Sequence, residues 1–261
     1  MASIKSFFLA CYSAVIVGIS TFLGAVMAII CTFIPPLKVK GVNYCAWAWG
    51  RFILTASGIK LQVIGAENRD PKKTYIIIAN HKSFLDIYAL LAGSGLPCRM
   101  VAKKELTKIP IFGLMLKRTH TIIIDRKNRK QAVQAMQTIG KALKEYGISV
   151  VIFPEGTRIR GRARLGEFKK GSFFLAAQLR MPVLPVTIIG SDDLQPKGAI
   201  AIRPGTITLK IDPPITVPPD PKAEDVRELA RQCQQIIAAN LRAAYPNDVD
   251  RQPPASNQPT G

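Results

Sequence analysis

Histidine is scarce in this chain: His81 and His120 are the only two among 261 residues. Chemistry that needs an imidazole base must therefore run through one of two positions. Cysteine is nearly as spare. Cys11, Cys31, Cys45, Cys98 and Cys233 form no Cys-x-x-Cys pair and no metal-like cluster with either histidine. That scatter excludes a disulfide scaffold, gives no reason to expect a metal site, and reads as reduced thiols facing a cytosol. There is no Gly-x-Ser-x-Gly elbow, no P-loop and no dinucleotide glycine signature. Serine-hydrolase, nucleoside-triphosphate and nicotinamide chemistries thus find no footing. Acidic residues are few as well, 17 against 36 basic ones, for a net charge of +19. Such an imbalance restricts partners more than fold: nucleic acid, an anionic membrane surface, or an acidic or phosphorylated ligand.

What is present begins with a long apolar run. Phe7 to Ile34 contains no charged residue. As a helix it extends ~40 Å, enough to cross a hydrocarbon core of ~30 Å with tilt. It is too long for the apolar core of a signal peptide, and no small-residue cleavage site follows. One base, Lys5, precedes the run, while Lys38, Lys40, Arg51 and Lys60 follow it, which predicts that the body of the protein lies on the cytoplasmic side. Asn43 to Ile59 holds both tryptophans, Trp47 and Trp49, and reads as a second helix, either near the lipid headgroups or within the core.

From Leu61 the texture changes to short β-rich runs alternating with helical segments. Leu61–Gly65, Tyr75–Ala79, Arg99–Ala102, Thr121–Ile124, Ile148–Phe153, Val183–Ile189 and Thr206–Ile211 are the predicted strands. The triplets at 76–78 and 122–124 are all isoleucine, as in strands buried on both faces. Helices are expected over Asp86–Ala92, Arg129–Tyr146, Gly171–Leu179 and Pro221–Ala244, with Gly147 as a C-cap. The pattern predicts an α/β fold: a layered, mostly parallel or mixed sheet flanked by helices, preceded by a membrane-anchoring helix or two-helix motif. Residues 1–60 are expected to form the anchor, 61–244 the catalytic domain and 245–261 a disordered, proline-rich tail.

Chemistry concentrates at strand ends. After Tyr75–Ala79 comes Asn80-His81-Lys82-Ser83-Phe84-Leu85-Asp86. A helical turn starting between His81 and Asp86 brings the carboxylate back to the imidazole, fixing its tautomer and freeing the other nitrogen as a base. Alone, this spacing more often describes a helix N-cap with a surface histidine nearby. The run Phe153-Pro154-Glu155-Gly156-Thr157-Arg158 closes another strand, with Gly156 suited to positive φ and Arg158 to phosphate. Asp125-Arg126 and Ala102-Lys103-Lys104-Glu105 stand at two further strand ends, and Val183-Leu184-Pro185 opens a strand. His120 has no carboxylate at a suggestive spacing and reads as a strand-edge or core residue.

In this order the blocks resemble the four motifs of the glycerolipid acyltransferases, 1-acyl-sn-glycerol-3-phosphate acyltransferases among them, over about Leu61 to Ile211. The resemblance implies that His81 is the general base and Asp86 its orienting partner. It implies direct attack of a lysophosphatidate sn-2 hydroxyl on an acyl thioester, without an acyl-enzyme and without a cofactor. The donor is an acyl-CoA or an acyl carrier protein thioester. Lys103, Arg126 and Arg158 would hold the acceptor phosphate together with Gly156 and Thr157, and Glu155 would orient the acceptor or brace the arginines. The basic stretch Arg158, Arg160, Arg162, Arg164, Lys169 and Lys170 would face anionic lipid or donor. The implied setting is phospholipid synthesis at a bacterial inner membrane, with lipid, donor and anionic surface as partners and no nucleic acid. Another lysolipid acceptor, such as a lyso-ornithine lipid, shares these motifs. A non-enzymatic basic binder of membrane or nucleic acid would need neither His81 nor Asp86.

Overall fold

The computed structural model describes residues 2–125, 134–135, 140–141, 143–159 and 165–246. Its strands are β1 (Ile59–Ile64), β2 (Ile76–Ala79), β3 (Cys98–Lys103), β4 (Ile122–Ile124), β5 (Ser149–Ile152), β6 (Val183–Ile189) and β7 (Gly205–Ile211). They form one sheet in the order β1-β7-β6-β2-β5-β3-β4. Only β6 and β7 pair antiparallel. The sheet is thus mixed, as the alternating pattern predicts, with β1 and β7 running against the other five strands.

The isoleucine triplet of β2 explains why this strand is central. Side chains alternate along a strand, so Ile76 and Ile78 enter one hydrophobic cluster while Ile77 enters the other. All three are fully buried, and each contributes about 1.5–3 kcal/mol over remaining exposed. One face is covered by α5 (Gly171–Leu179) and α7 (Ala223–Ala244), through Phe173, Leu175, Cys233 and Ile237. The opposite face is covered by α2 (Lys40–Ala56) and α3 (Leu85–Gly93), through Ile53, Leu54, Leu85 and Leu90. Because β2 to β5 are parallel to one another, their carboxyl ends share one edge, where open α/β sheets place their ligands.

The leading apolar run forms α1 (Ala2–Phe33), which reverses through a proline-containing turn at Pro35–Leu37 into α2. The two make an antiparallel hairpin. Tyr12 Oη donates to Ala56 O at 3.0 Å, Gly24 faces Trp49, and Gly41 lies against Cys31. Phe7, Phe8, Val15, Ile19, Phe22 and Leu23 point outward and are more than half exposed. Only 17% of the most apolar window of Ile4–Phe33 is buried, unlike the core helix of a soluble protein.

Several boundaries differ from the expected ones. Helix α2 ends at Ala56, because Gly58 takes a positive φ of 70° and turns the chain into β1 at Ile59. Its character is double: Tyr44, Trp47 and Phe52 are exposed while Ile53 and Leu54 are core. Two short helices, α4 (Phe112–Arg118) and α6 (Ser191–Leu194), carry no clear pattern in the sequence. Within the expected helix 129–146, residues 134–135, 140–141 and 143–145 are helical, and the rest of that span lies outside the described residues. Gly147 has φ 68°, as a helix stop requires. Of the expected tail, residues beyond 246 lie outside the described residues.

The hairpin meets the catalytic layer at Gly50. A Cβ there would stand 2.7 Å from the Tyr88 carbonyl oxygen and 3.2 Å from Leu91 Cβ. Gly50→Val should wedge α2 away from α3 and cost ~1–3 kcal/mol, as overpacking of a close contact does. Thermal unfolding in detergent checks this; an unchanged Tm would mean that α2 and α3 separate freely.

Candidate active site

The catalytic edge is assembled by three loops leaving β2, β5 and β6. Asn80 follows β2 and is buried. Its side chain acts as a short extra strand: Nδ2 donates to Ile188 O at 2.9 Å, and Oδ1 accepts from Ile188 N at 2.8 Å. This pins the chain just before His81 to the end of β6.

His81 Nδ1 lies 2.8 Å from Asp86 Oδ2. The same oxygen accepts the backbone N–H groups of Lys82 and Ser83 at 2.8 and 2.9 Å. Asp86 is in the first turn of α3 and has no exposed surface. Its Oδ1 meets no donor among the described residues. Three donors on one oxygen, with the amino end of a helix beside it, compensate the buried charge. The turn between His81 and Asp86 is therefore the one the spacing predicts, and it leaves Nε2 as the free imidazole nitrogen. That atom makes no hydrogen bond to any described residue, and His81 lines the cavity described below. The ring is held flat against Phe153, with centroids 3.9 Å apart and planes at 11°.

Glu155 differs from both roles expected of it, orienting the acceptor and bracing the arginines: it is 4% exposed, absent from the cavity wall, and bound to backbone amides. Oε2 accepts the His81 backbone N–H at 2.9 Å, and Oε1 accepts the Gly166 N–H at 2.9 Å. The carboxylate thus ties the loop after β5 to the backbone of His81, and both of its oxygens are already engaged. Burial pushes its pKa up to about 7, against the pull of the two amides, with the Asp86 charge adding to the rise. The loops are tied a second time where Ile159 N donates to His81 O at 3.0 Å. Gly156 has φ 71°, the positive value anticipated for it, and Lys169 Nζ reaches its vicinity.

Arg158 lies over the ring of Phe84, 3.7 Å from its centroid, at the mouth of the site. Lys197 supplies a contact with no signature in the sequence, since it lies 39 residues from its partner. Its Nζ donates to Arg158 O at 2.5 Å and approaches Thr157 Oγ1 at 3.3 Å. From the same segment, Asp192 pairs with the buried Lys82 at 3.0 Å. Lys103, at the end of β3, pairs with Glu105 at 3.2 Å and borders the cavity. Arg126 and the bases Arg160, Arg162 and Arg164 lie outside the described residues. No cluster that could hold a metal ion occurs among the described residues.

A cavity of about 620 Å³ opens at this edge. Its mouth holds His81, Thr157, Arg158, Lys169 and Lys197; inward it runs between the hairpin, β3 and α4, past Gly24, Ala28, Trp49, Met100, Phe112 and Met115. A cationic mouth with an apolar interior suits an anionic headgroup joined to a fatty chain.

The sequence pattern of the family described as Acyltransferase matches residues 60–189. The 1-acyl-sn-glycerol-3-phosphate acyltransferase of Limnanthes alba is 30% identical over 234 residues, covering 90% of this chain and 81% of that protein. The chain belongs to the acyltransferase family. The yeast Saccharomyces cerevisiae has a 1-acyl-sn-glycerol-3-phosphate acyltransferase 33% identical to this acyltransferase over 204 residues, 75% of this chain and 64% of that protein. Among solved structures, the 1-acyl-sn-glycerophosphate acyltransferase PlsC of Thermotoga maritima superposes with a TM-score of 0.79 at 27% identity, covering 93% of this chain and 98% of that one. The hairpin of this acyltransferase is thus part of the shared architecture, together with the sheet.

Two outcomes follow from this geometry. In Asp86→Asn the amide oxygen can keep the three donors, but the charge facing the imidazolium is lost. Turnover should fall ~10²–10⁴-fold with the fold retained, as steady-state kinetics beside circular dichroism would reveal; near-normal turnover would remove Asp86 from the catalytic pair. Glu155 carries a raised pKa, so between its ordinary value of 4.5 and about 7 the folded state holds a proton that the unfolded chain has released. The stability from that proton is complete below the lower value and is lost as pH rises through about 7. Wild-type Tm should therefore fall from pH 5 to 8 by more than that of Glu155→Gln. Parallel pH profiles would contradict a buried carboxyl that titrates there.

Proposed function

We propose that this acyltransferase moves an acyl chain from an acyl thioester to the free sn-2 hydroxyl of lysophosphatidate, producing phosphatidate for phospholipid synthesis. The observation that carries the reading is the free Nε2 of His81 opening on a cavity with a cationic mouth and an apolar interior. Similarity to lysophosphatidate acyltransferases from plants, yeast and a bacterium supports the acceptor.

His81 Nε2 takes the proton of the acceptor hydroxyl as its oxygen attacks the thioester carbonyl. Asp86 orients the ring and offsets the imidazolium charge. The carbon–sulfur bond then breaks, and the imidazolium proton goes to the departing sulfur. A thiol has a reference pKa of ~8.5, so this leaving group needs little acid assistance. Arg158, Lys103, Lys169 and Lys197 border the space for the acceptor phosphate, with Arg158 offering the two-pronged geometry that phosphate accepts best. Arg126 joins this set by its place in the motif. The donor is an acyl-CoA or an acyl carrier protein thioester, both anionic, and its acyl chain occupies the apolar interior. No cofactor is needed, because the thioester already carries the activated acyl group.

The hairpin docks this face on the cytoplasmic leaflet without crossing the bilayer. Ser13 of α1 accepts a hydrogen bond from Ile202 N at 3.0 Å, and Phe33 lies beneath the Arg118 guanidinium at 4.2 Å. These points are about 30 Å apart along a helix of 1.5 Å per residue, so the catalytic domain accompanies α1 over most of its length. A helix so flanked lies along the interface and buries its outer face among acyl chains. Lys169 and Lys170 add attraction for anionic lipid headgroups.

Acyl transfer from CoA and carrier-protein thioesters to lysophosphatidate in vesicles tests the reading, with lysolipids bearing other headgroups as competing acceptors. Lysophosphatidate should be preferred, and His81→Ala should abolish turnover while leaving vesicle binding intact. Arg158→Lys keeps the charge but loses the fork, so KM for lysophosphatidate should rise ~10-fold or more with the donor KM little changed. Equal loss with an acceptor lacking phosphate would overturn the phosphate role, and full activity in His81→Ala would overturn the mechanism.

A further inference from the structure

A four-residue turn reaches the loop that carries Arg158. It runs Pro196-Lys197-Gly198-Ala199, and Ala199 N donates to Pro196 O at 3.0 Å. Gly198, third in the turn, has φ 100°, a value open to glycine and costly for other residues. The buried Gln195 braces this turn. Its Nε2 donates to Ala199 O at 3.3 Å and to Ile200 O at 3.4 Å, and its Oε1 accepts from Ser83 Oγ at 3.4 Å. Just upstream in α6, Asp192 pairs with the buried Lys82 at 3.0 Å. The turn is therefore fastened to the loop that carries His81, and from there it presents Lys197 to the loop after β5.

The peptide unit between Arg158 and Ile159 is held on both sides. Its carbonyl oxygen accepts from Lys197 Nζ at 2.5 Å, and its N–H donates to His81 O at 3.0 Å. A peptide unit is planar, so two bonds from opposite sides fix its rotation and the direction in which the Arg158 side chain leaves the backbone. The guanidinium is then seated over Phe84. We propose that Lys197 is a positioning residue for the lysophosphatidate acceptor: it holds the Arg158–Ile159 peptide and so sets the place of Arg158 relative to His81. The proposal rests on the reading that Arg158 receives the acceptor phosphate, and Lys197 acts through Arg158. Its ammonium is committed to the Arg158 carbonyl and the Thr157 hydroxyl, at 2.5 and 3.3 Å. Moving it onto the phosphate would release the peptide that keeps the guanidinium in register with the base. A charged donor makes the stronger kind of hydrogen bond, and a small misplacement of a group that holds the substrate is costly to the reaction.

The test is a double-mutant cycle between Lys197→Met and Arg158→Lys, read as KM for lysophosphatidate and KM for one acyl thioester in the full-length protein. Methionine keeps much of the stem and removes the donor. Loss of a hydrogen bond to a charged group should raise the lysophosphatidate KM ~10-fold, with the thioester KM little changed and kcat lowered far less. Independent contacts would multiply, giving ~100-fold in the double variant. A residue acting through Arg158 should instead leave the double variant close to Arg158→Lys alone. Lys197→Arg, which keeps a long cationic donor, should recover most of the loss. Gly198→Ala adds a Cβ that meets no atom within 4 Å, so it disturbs only the backbone of the turn. It should raise the lysophosphatidate KM in the same direction, and it replaces Lys197→Met in the cycle if that variant does not fold. An unchanged lysophosphatidate KM in the folded variant overturns the proposal. So does an equal rise in both KM values, which would mean general loosening of the site. Multiplying effects would make Lys197 a phosphate contact in its own right and overturn the positioning role. Arg158→Lys with an unchanged lysophosphatidate KM would instead overturn the phosphate reading beneath the proposal.

Discussion

A single carboxylate oxygen organises the catalytic edge. Asp86 Oδ2 receives the imidazole of His81 and the amides of Lys82 and Ser83 while wholly buried. Each donor lost from a buried charge costs more than a surface bond of the same kind. The three donors on this oxygen therefore hold the loop after β2, and the orientation of His81 follows from it. Asn80 fixes the same loop from the other side, on β6. The histidine is thus a side chain on a locked turn, and its free nitrogen points where the turn directs it.

Glu155 extends this constraint to the second loop. Its two oxygens join the His81 amide to Gly166, so the loop carrying Gly156, Thr157 and Arg158 cannot shift without disturbing the base. Lys197 and Asp192 close the circuit from the segment that follows β6. His81 and the Gly156–Arg158 segment, the proposed base and phosphate contacts, are therefore coupled through backbone groups. That coupling matters for a reaction in which a hydroxyl and a thioester must meet within bonding distance.

In the proposed function the N-terminal hairpin does more than attach the enzyme to a membrane. Gly24, Ala25 and Ala28 of α1, with Val42, Cys45 and Trp49 of α2, form a wall of the cavity. The same two helices turn Phe22, Leu23, Tyr44 and Trp47 outward. On α1 the residues facing the cavity are small and those facing outward are large and apolar, so under the proposed function anchor and substrate channel are two faces of one structural element.

Much of this was legible in the residues. The isoleucine runs announced buried strands, the charge-free stretch announced α1, and the order of the motif blocks brought His81, Asp86 and Arg158 together as candidates. These are local signals: a period, a composition, or a spacing within one turn. Other features had no such signal. Glu155 read as orienting the acceptor or bracing the arginines, because a carboxylate beside an arginine looks the same in those roles as when it is bound by amides from His81 and Gly166, 74 and 11 residues away. Lys197 carried no signal at all, and α2 could have been interfacial or core. The sequence by itself determined which chemistry is available and on which strand ends it stands, because strand period, turn residues and motif spacing act over a few positions. Only the tertiary structure decided which charges are buried, which carboxylate braces the site, and which elements wall the cavity. Burial and hydrogen-bond partnership are properties of distant segments packed together, and no short window of sequence contains both partners.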